Sequence, residues 1–211
     1  MTAKIALTTD AASMFLSWLE HPEEGLLGRL LEHPGYRAVQ GAIDYVERNR
    51  SGIIDLVAGS LARLFAKDVA FPVGMHCVVG YDWGIGLHGK AAVNLGSRLY
   101  LDDLREIGYM LVHESTHVAY ERAHGPMNPQ GLEQPGGLRH LVHTLVQNEG
   151  LAVYPGEEAA GRIFDRLSRD RLSYVVGCSA FANLERKSGL ALVREAALWT
   201  PEEWLDLSQI R

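Results

Sequence analysis

The chain has 211 residues, of which 47% are hydrophobic and 22% are charged, and its formal net charge is −6. This composition is typical of a soluble globular protein and argues against a disordered chain, which has a low apolar content. The acidic excess argues against nucleic acid or an anionic membrane as a partner, because both carry negative charge. A chain of this length buries enough surface to fold without a disulfide or a structural metal, so we expect any metal to serve chemistry.

Three features together predict a cytoplasmic location. The chain has only two cysteines, Cys77 and Cys178, both in apolar surroundings, which is typical of a reducing compartment rather than a disulfide framework. The N-terminal residues acquire Asp10 before any long apolar run and therefore do not resemble a signal peptide. The best candidate for a membrane span, residues 52–65, is interrupted by charged side chains such as Asp55.

The first third of the chain is predicted to be helical. Asp10 can cap a helix that runs to about residue 20, and a second helix begins near Pro22. Apolar residues then recur at helical spacing over residues 36–48 and 53–65. Because nothing in residues 1–68 has catalytic character, we define an N-terminal helical lobe over residues 1–68 and a catalytic region over residues 69–211, within one compact domain.

Strand signals follow the helices. Residues 73–80 are rich in β-branched side chains and bounded by glycine, which predicts a strand. Five glycines then crowd into residues 80–96, which indicates turns, bulges or a strand that another group approaches closely. Helices are predicted again from residue 102, and after the glycine- and proline-rich loop at 124–137 they cover about 138–153, 157–172, 174–187, 190–198 and 201–207.

One segment carries a recognisable chemical pattern. Residues 113–117 read His-Glu-Ser-Thr-His, an HExxH pattern. Residues four apart differ by about 40° around a helix, so His113 and His117 project from one face and can both reach a zinc ion. Glu114 lies about 100° from His113, where a general base for an activated water belongs. The preceding segment is apolar, so this helix is predicted to be buried, and two buried histidines need partners.

A metal site needs a third ligand, and several residues are candidates. The extended HExxH pattern requires a glycine and a histidine where this chain has Tyr120 and Ala123. His124 lies one position further, at the end of the helix, and Cys77 lies in a strand that is predicted to be packed, so both rank lower. Glu149 is the better candidate because it falls in the middle of an apolar helix face, where a carboxylate is costly unless it is paired or bound to a metal.

The competing interpretation of Glu149 is a buried salt bridge to an arginine such as Arg139. Two histidines share its predicted helix but not its face. His140 lies about 180° from Glu149 around the helix axis and His143 about 120°, so both are predicted to point elsewhere.

These motifs together resemble a known family. His113-Glu114-x-x-His117 followed by Asn148-Glu149-Gly150-x-Ala152 is similar to the gluzincin branch of the zincin metallopeptidases, the thermolysin-like superfamily. The later run Tyr174-x-x-Gly177-x-x-x-Phe181-x-x-Leu184-x-x-x-x-Gly189 is similar to the next helix in many small members. The resemblance covers roughly residues 73–198.

The resemblance implies a fold, a cofactor and residue roles. The expected fold is α+β, a helix-rich zincin-like domain with a small mixed β-sheet and an HExxH active-site helix. One Zn²⁺ ion would be held by His113, His117 and Glu149, while Glu114 would activate water. Residues 90–96 would form the edge strand that pairs with a peptide substrate.

The chain also departs from the family pattern. Thermolysin-like enzymes carry an acidic residue four positions after the glutamate ligand, where it orients a zinc-bound histidine, and here that position is Val153. Glu121 or Asp170 is therefore the candidate for that orienting role. No oxyanion stabiliser is obvious from the pattern, and Tyr154 and Tyr174 are both candidates.

The sequence thus predicts a zinc-dependent metallohydrolase, most simply a peptidase, whose partner is a peptide or a small amide substrate. Pocket candidates are Tyr81, Trp83, His88 and Asn94, and the loop at 124–137 is a candidate lid. One alternative keeps the site but acts on a small-molecule amide, or uses Fe²⁺ in the same two-histidine, one-carboxylate arrangement. Another is a zincin scaffold without catalysis that has a regulatory binding role, although the complete set of core catalytic residues argues against it.

Overall fold

A computed structural model of the chain describes residues 6–8, 35–65, 74–78, 84–87, 89–95, 97, 100, 102–126, 136–154 and 172–207. The elements in chain order are β1 (Ala6–Thr8), α1 (Gly35–Arg48), α2 (Arg50–Leu64), β2 (Gly74–Val78), β3 (Gly84–Leu87), β4 (Lys90–Asn94), α3 (Glu106–His124), α4 (Gly137–Val153), α5 (Leu172–Ala196) and α6 (Pro201–Leu207). Helices dominate, which confirms the predicted helix-rich character. None of the helices in these ranges is long and apolar enough to cross a membrane.

The described strands form one four-stranded sheet in the order β1-β2-β4-β3. β1 and β4 both run parallel to β2, whereas β3 runs antiparallel to β4. β4 therefore lies inside the sheet and β3 lies at its edge, so the prediction that residues 90–96 form the edge strand is wrong. The physical reason is burial: residues 91–94 are all buried, as a strand with neighbours on both sides requires.

The N-terminal third contributes to the same core as the rest of the chain. β1, which the sequence pattern does not predict, pairs with β2. α1 and α2 are observed close to their predicted bounds. α2 packs against α3 at Gly108, where a Cβ would have side-chain atoms of Ile53 and Leu56 within 4 Å. The helices predicted at 10–20 and 157–172 lie outside the described residues.

α3 is the central helix of the described structure, and its surroundings explain why its polar residues are buried. It packs against α2, β3, β4 and α4. Its residues from Glu106 to Tyr120 are almost all buried, including both His113 and Glu114. An HExxH segment in this position is enclosed by four other elements, so its imidazoles and carboxylate meet protein partners rather than bulk water.

α4 and α5 cross at two glycines. A Cβ added to Gly150 would fall closer than 3 Å to the backbone of Gly177, and a Cβ added to Gly177 would overlap the carbonyl oxygen of Val146. The two helices can therefore approach this closely only because neither residue has a side chain. This contact gives a structural reason for the glycine in the Tyr174-to-Gly189 run, and it brings α5 beside the segment of α4 that carries Glu149.

Candidate metal centre

The three predicted ligands converge at the contact between α3 and α4. His113 and His117 lie one turn apart on α3, and their Nε2 atoms are 3.1 Å apart. From α4, Glu149 places Oε2 at 3.4 Å from His117 Nε2 and at 3.7 Å from His113 Nε2. All three ligand atoms lie within 4.8 Å of one another, so this group could hold a metal ion.

The spacing of the three atoms can be compared with coordination geometry. Ligands at about 2.0–2.1 Å from a tetrahedral zinc lie about 3.3 Å from one another, whereas adjacent ligands of an octahedron with the same bond length lie about 2.9 Å apart. The observed separations of 3.1, 3.4 and 3.7 Å bracket the tetrahedral value. Two imidazole nitrogens and one carboxylate oxygen also suit a divalent transition metal, so the residues fit such an ion.

The electrostatics of the group favour a bound cation. Burial alone would lower the pKa of His117, but the hydrogen bond and the negative charge of Glu149, together with the charge of Glu114, raise this pKa to about 9. Burial alone would raise the pKa of Glu149, but its interactions with His117 and His113 and a hydrogen bond from Tyr174 lower it to about 2. The site thus holds a positive charge next to a carboxylate, and a metal cation can replace the proton on His117.

Asn148, the residue before the glutamate ligand, orients His117. The Nδ1 atom of His117 lies 2.9 Å from Oδ1 of Asn148. Because an amide oxygen only accepts hydrogen bonds, Nδ1 carries a proton and Nε2 points toward the ligand group. The sequence pattern favours Glu121 or Asp170 for this orienting role and does not indicate Asn148. Asp170 lies outside the described residues, and the signal that could have found Asn148 is its place in the Asn-Glu-Gly segment.

Tyr174 lies at the ligand group. Its side chain is buried, and its ring stacks parallel to that of His113 with 5.8 Å between the ring centroids. Its hydroxyl group hydrogen-bonds to the Glu149 carboxylate and helps to lower the pKa of Glu149. Of the two tyrosines predicted as oxyanion stabilisers, Tyr174 is therefore in contact with two of the three ligands.

Tyr154 has a different environment. Its hydroxyl group donates a hydrogen bond to Glu185, which pairs with Arg63 at 2.9 Å, and its ring packs against Phe181. These contacts tie α4 to α5 and α2, and none of the contacts described for Tyr154 involves the ligand group. The prediction that Tyr154 stabilises an oxyanion is therefore corrected: its polar atom is engaged in packing the helices.

The other histidines considered as ligands point elsewhere. His124 Nε2 lies 2.8 Å from the carbonyl oxygen of Ala197, and its ring stacks on Tyr120. His140 Nδ1 lies 2.6 Å from a carboxylate oxygen of Glu202 on the protein surface. Arg139 is exposed, so the alternative in which it forms a buried salt bridge with Glu149 is not observed.

Glu114 lies between the two histidine ligands in the chain and beneath the edge strand. Its side chain is 6% exposed. Its carboxylate lies so close to β3 that a Cβ on Gly84 would be 2.6 Å from Oε1. Of the predicted pocket residues, Asn94 is buried at the end of β4, and Tyr81, Trp83, His88 and most of the candidate lid lie outside the described residues.

Comparisons of the chain with protein-family models, with curated proteins and with solved structures find no match. The interpretation of the site therefore depends on its own geometry and chemistry.

Proposed function

We propose that the protein is a zinc-dependent metallohydrolase of the gluzincin type that cleaves amide bonds, most simply those of peptides. The observation that carries the proposal is the convergence of His113, His117 and Glu149 at separations suited to one tetrahedral ion, with Glu114 beside them. Three protein ligands leave one position open, which is the arrangement of catalytic rather than structural zinc sites.

In this proposal His113, His117 and Glu149 hold the ion. A bound zinc ion supplies Lewis acidity, which lowers the pKa of a water molecule and polarises the scissile carbonyl group. Glu114 takes a proton from the water and later passes it to the leaving amine. Asn148 fixes the orientation of His117, and Tyr174 holds the Glu149 carboxylate.

The position of β3 supports a peptide as the substrate. β3 ends the sheet among the described strands and crosses α3 at Glu114. An extended peptide can add to a free strand edge through backbone hydrogen bonds, and here such pairing would bring its carbonyl groups close to the ligand group. In this proposal β3 takes the substrate-pairing role that the family resemblance implies for residues 90–96.

The test is Glu114→Gln, which removes the base and keeps the size of the side chain. We expect the purified variant to keep its zinc by elemental analysis and to lose at least ~10²-fold in hydrolysis of a peptide library followed by mass spectrometry. Glu195→Gln, the same change at an exposed position of α5, is the matched control and should retain full activity. A zinc-loaded wild-type protein that cleaves neither peptides nor small amides, or a fully active Glu114→Gln, would refute the proposal.

A further inference from the structure

Two glycines of the edge strand lie on the helix that carries the HExxH segment. Gly84 and Gly86 are two residues apart on β3, so both face the same side of the sheet. Neither has a positive φ angle, so backbone conformation does not explain why glycine occupies these positions. The explanation lies in the space on the side of the strand that faces α3.

A side chain at either position would meet α3, but it would meet different atoms. A Cβ on Gly84 would lie 2.6 Å from Oε1 and 2.9 Å from Cγ of Glu114, and 3.0 Å from the carbonyl oxygen of Ala92. A Cβ on Gly86 would overlap the backbone carbonyl oxygen of Glu114 and lie 2.9 Å from Cβ of His117. Gly84 therefore borders the reactive end of the Glu114 side chain, whereas Gly86 borders the helix backbone.

We propose that Gly84 is a positioning residue for Glu114: the space left by its missing side chain is where the carboxylate sits. This inference rests on the proposed function, in which Glu114 is the general base. Ordinary contact with a Cβ begins at 3.4 Å. A methyl group at residue 84 would therefore displace Oε1 by roughly 0.8 Å, and a misplacement of about 1 Å can cost on the order of 10²-fold in rate. The end of a side chain can move without disturbing the helix, so the ligands stay in place.

The kinetic experiment compares Gly84→Ala with wild-type protein loaded with zinc. We expect kcat to fall about 10²-fold, with KM and the Kd for zinc each within about threefold of the wild-type values. Gly59→Ala is the matched control, because a Cβ at Gly59 has nothing within 4 Å, and it should leave all three quantities unchanged. An active wild type whose kcat survives Gly84→Ala overturns the inference alone. An equal loss of zinc affinity and kcat overturns it as well, because it shows a general distortion of the site.

A second measurement tests the contact without any substrate. In zinc-free protein we expect Gly84→Ala to lower Tm by about 2–4 °C when Glu114 is present and by less than about 1 °C in a Glu114→Ala background. In that background the two closest atoms, Oε1 and Cγ of Glu114, are gone, and only the 3.0 Å contact with the Ala92 carbonyl oxygen remains. Gly86→Ala meets backbone atoms and should lower Tm by more than Gly84→Ala in both backgrounds. Equal losses from Gly84→Ala in the two backgrounds overturn the positioning role. A wild type that hydrolyses no amide refutes the proposed function, and the stability comparison then decides whether Gly84 positions the carboxylate.

Discussion

Replacing Glu149 with alanine should separate metal binding from the fold of the protein. Glu149 is the only one of the three ligands that comes from α4, and its Oε2 lies 3.4 Å from His117 Nε2 and 3.7 Å from His113 Nε2. Four-ligand structural zinc sites bind with about 10–16 kcal/mol, so one ligand contributes about 3–4 kcal/mol. Removing it should therefore raise the Kd for zinc by about 10²–10³-fold.

This loss can be read as a change in thermal stability. Zinc at a thousand times its wild-type Kd stabilises the folded protein by about 4 kcal/mol, and the same zinc concentration should stabilise Glu149→Ala by only about 0.4–1.4 kcal/mol. For a chain of this size the zinc-induced rise in Tm should fall from about 8–16 °C to about 1–6 °C. The assay is differential scanning calorimetry with and without zinc, and competition with a chromophoric chelator gives the Kd directly.

Two histidine variants are the controls. His140→Ala changes an exposed side chain and should leave both Tm and the zinc-induced shift unchanged. His124→Ala removes a hydrogen bond to the Ala197 carbonyl group, so it should lower the zinc-free Tm but keep the shift. If His124→Ala abolished the zinc-induced shift while Glu149→Ala retained it, the assigned ligand set would be wrong.

Two further predictions concern the surroundings of the ligands. Tyr174→Phe removes the hydrogen bond to Glu149 and should raise the Kd for zinc by about 10–100-fold. Tyr154→Phe is the control and should lower stability without changing that Kd. A Kd that rises in Tyr154→Phe but not in Tyr174→Phe would contradict the placement of Tyr174 at the ligands. In zinc-free protein, the raised pKa of His117 contributes stability that is full below pH 6.5 and is lost as the pH rises toward about 9. The lowered pKa of Glu149 contributes stability that is full above pH 4.5 and is lost as the pH falls toward about 2. Tm measured against pH should therefore peak between pH 4.5 and 6.5, and Glu149→Gln should flatten this profile; an unchanged profile in the variant would refute the pairing.

Helices were the part of the fold that the sequence predicted best. Apolar residues at helical spacing placed α1, α2 and α4 within a few residues of their observed bounds, because periodicity depends on local geometry alone. The break between two helical segments near residue 189 was also predicted, and Gly189 has a φ of 80° there. β1 was not predicted, since three residues are too few to establish an alternating pattern.

Sheet order and side-chain partners could not be predicted in the same way. Which of β3 and β4 lies at the edge depends on pairing between segments distant in the chain, so the assignment of the edge to residues 90–96 failed. Spacing on one helix is enough to predict His113 and His117 as ligands. The place of Glu149 on an apolar helix face is enough to predict it as the third. By contrast, the role of Asn148 and the choice between Tyr154 and Tyr174 depend on how α4 and α5 cross, which one-dimensional periodicity does not contain.

The central claim is that one zinc ion binds to His113, His117 and Glu149, and zinc K-edge X-ray absorption spectroscopy of protein with one equivalent of zinc tests it most directly. We predict four nitrogen or oxygen neighbours at about 2.0–2.1 Å, with the outer-shell scattering of two imidazole rings. The imidazole signal should fall to one ring in His117→Ala. A sulfur neighbour at about 2.3 Å, a third imidazole ring or a six-coordinate shell would contradict the proposed centre.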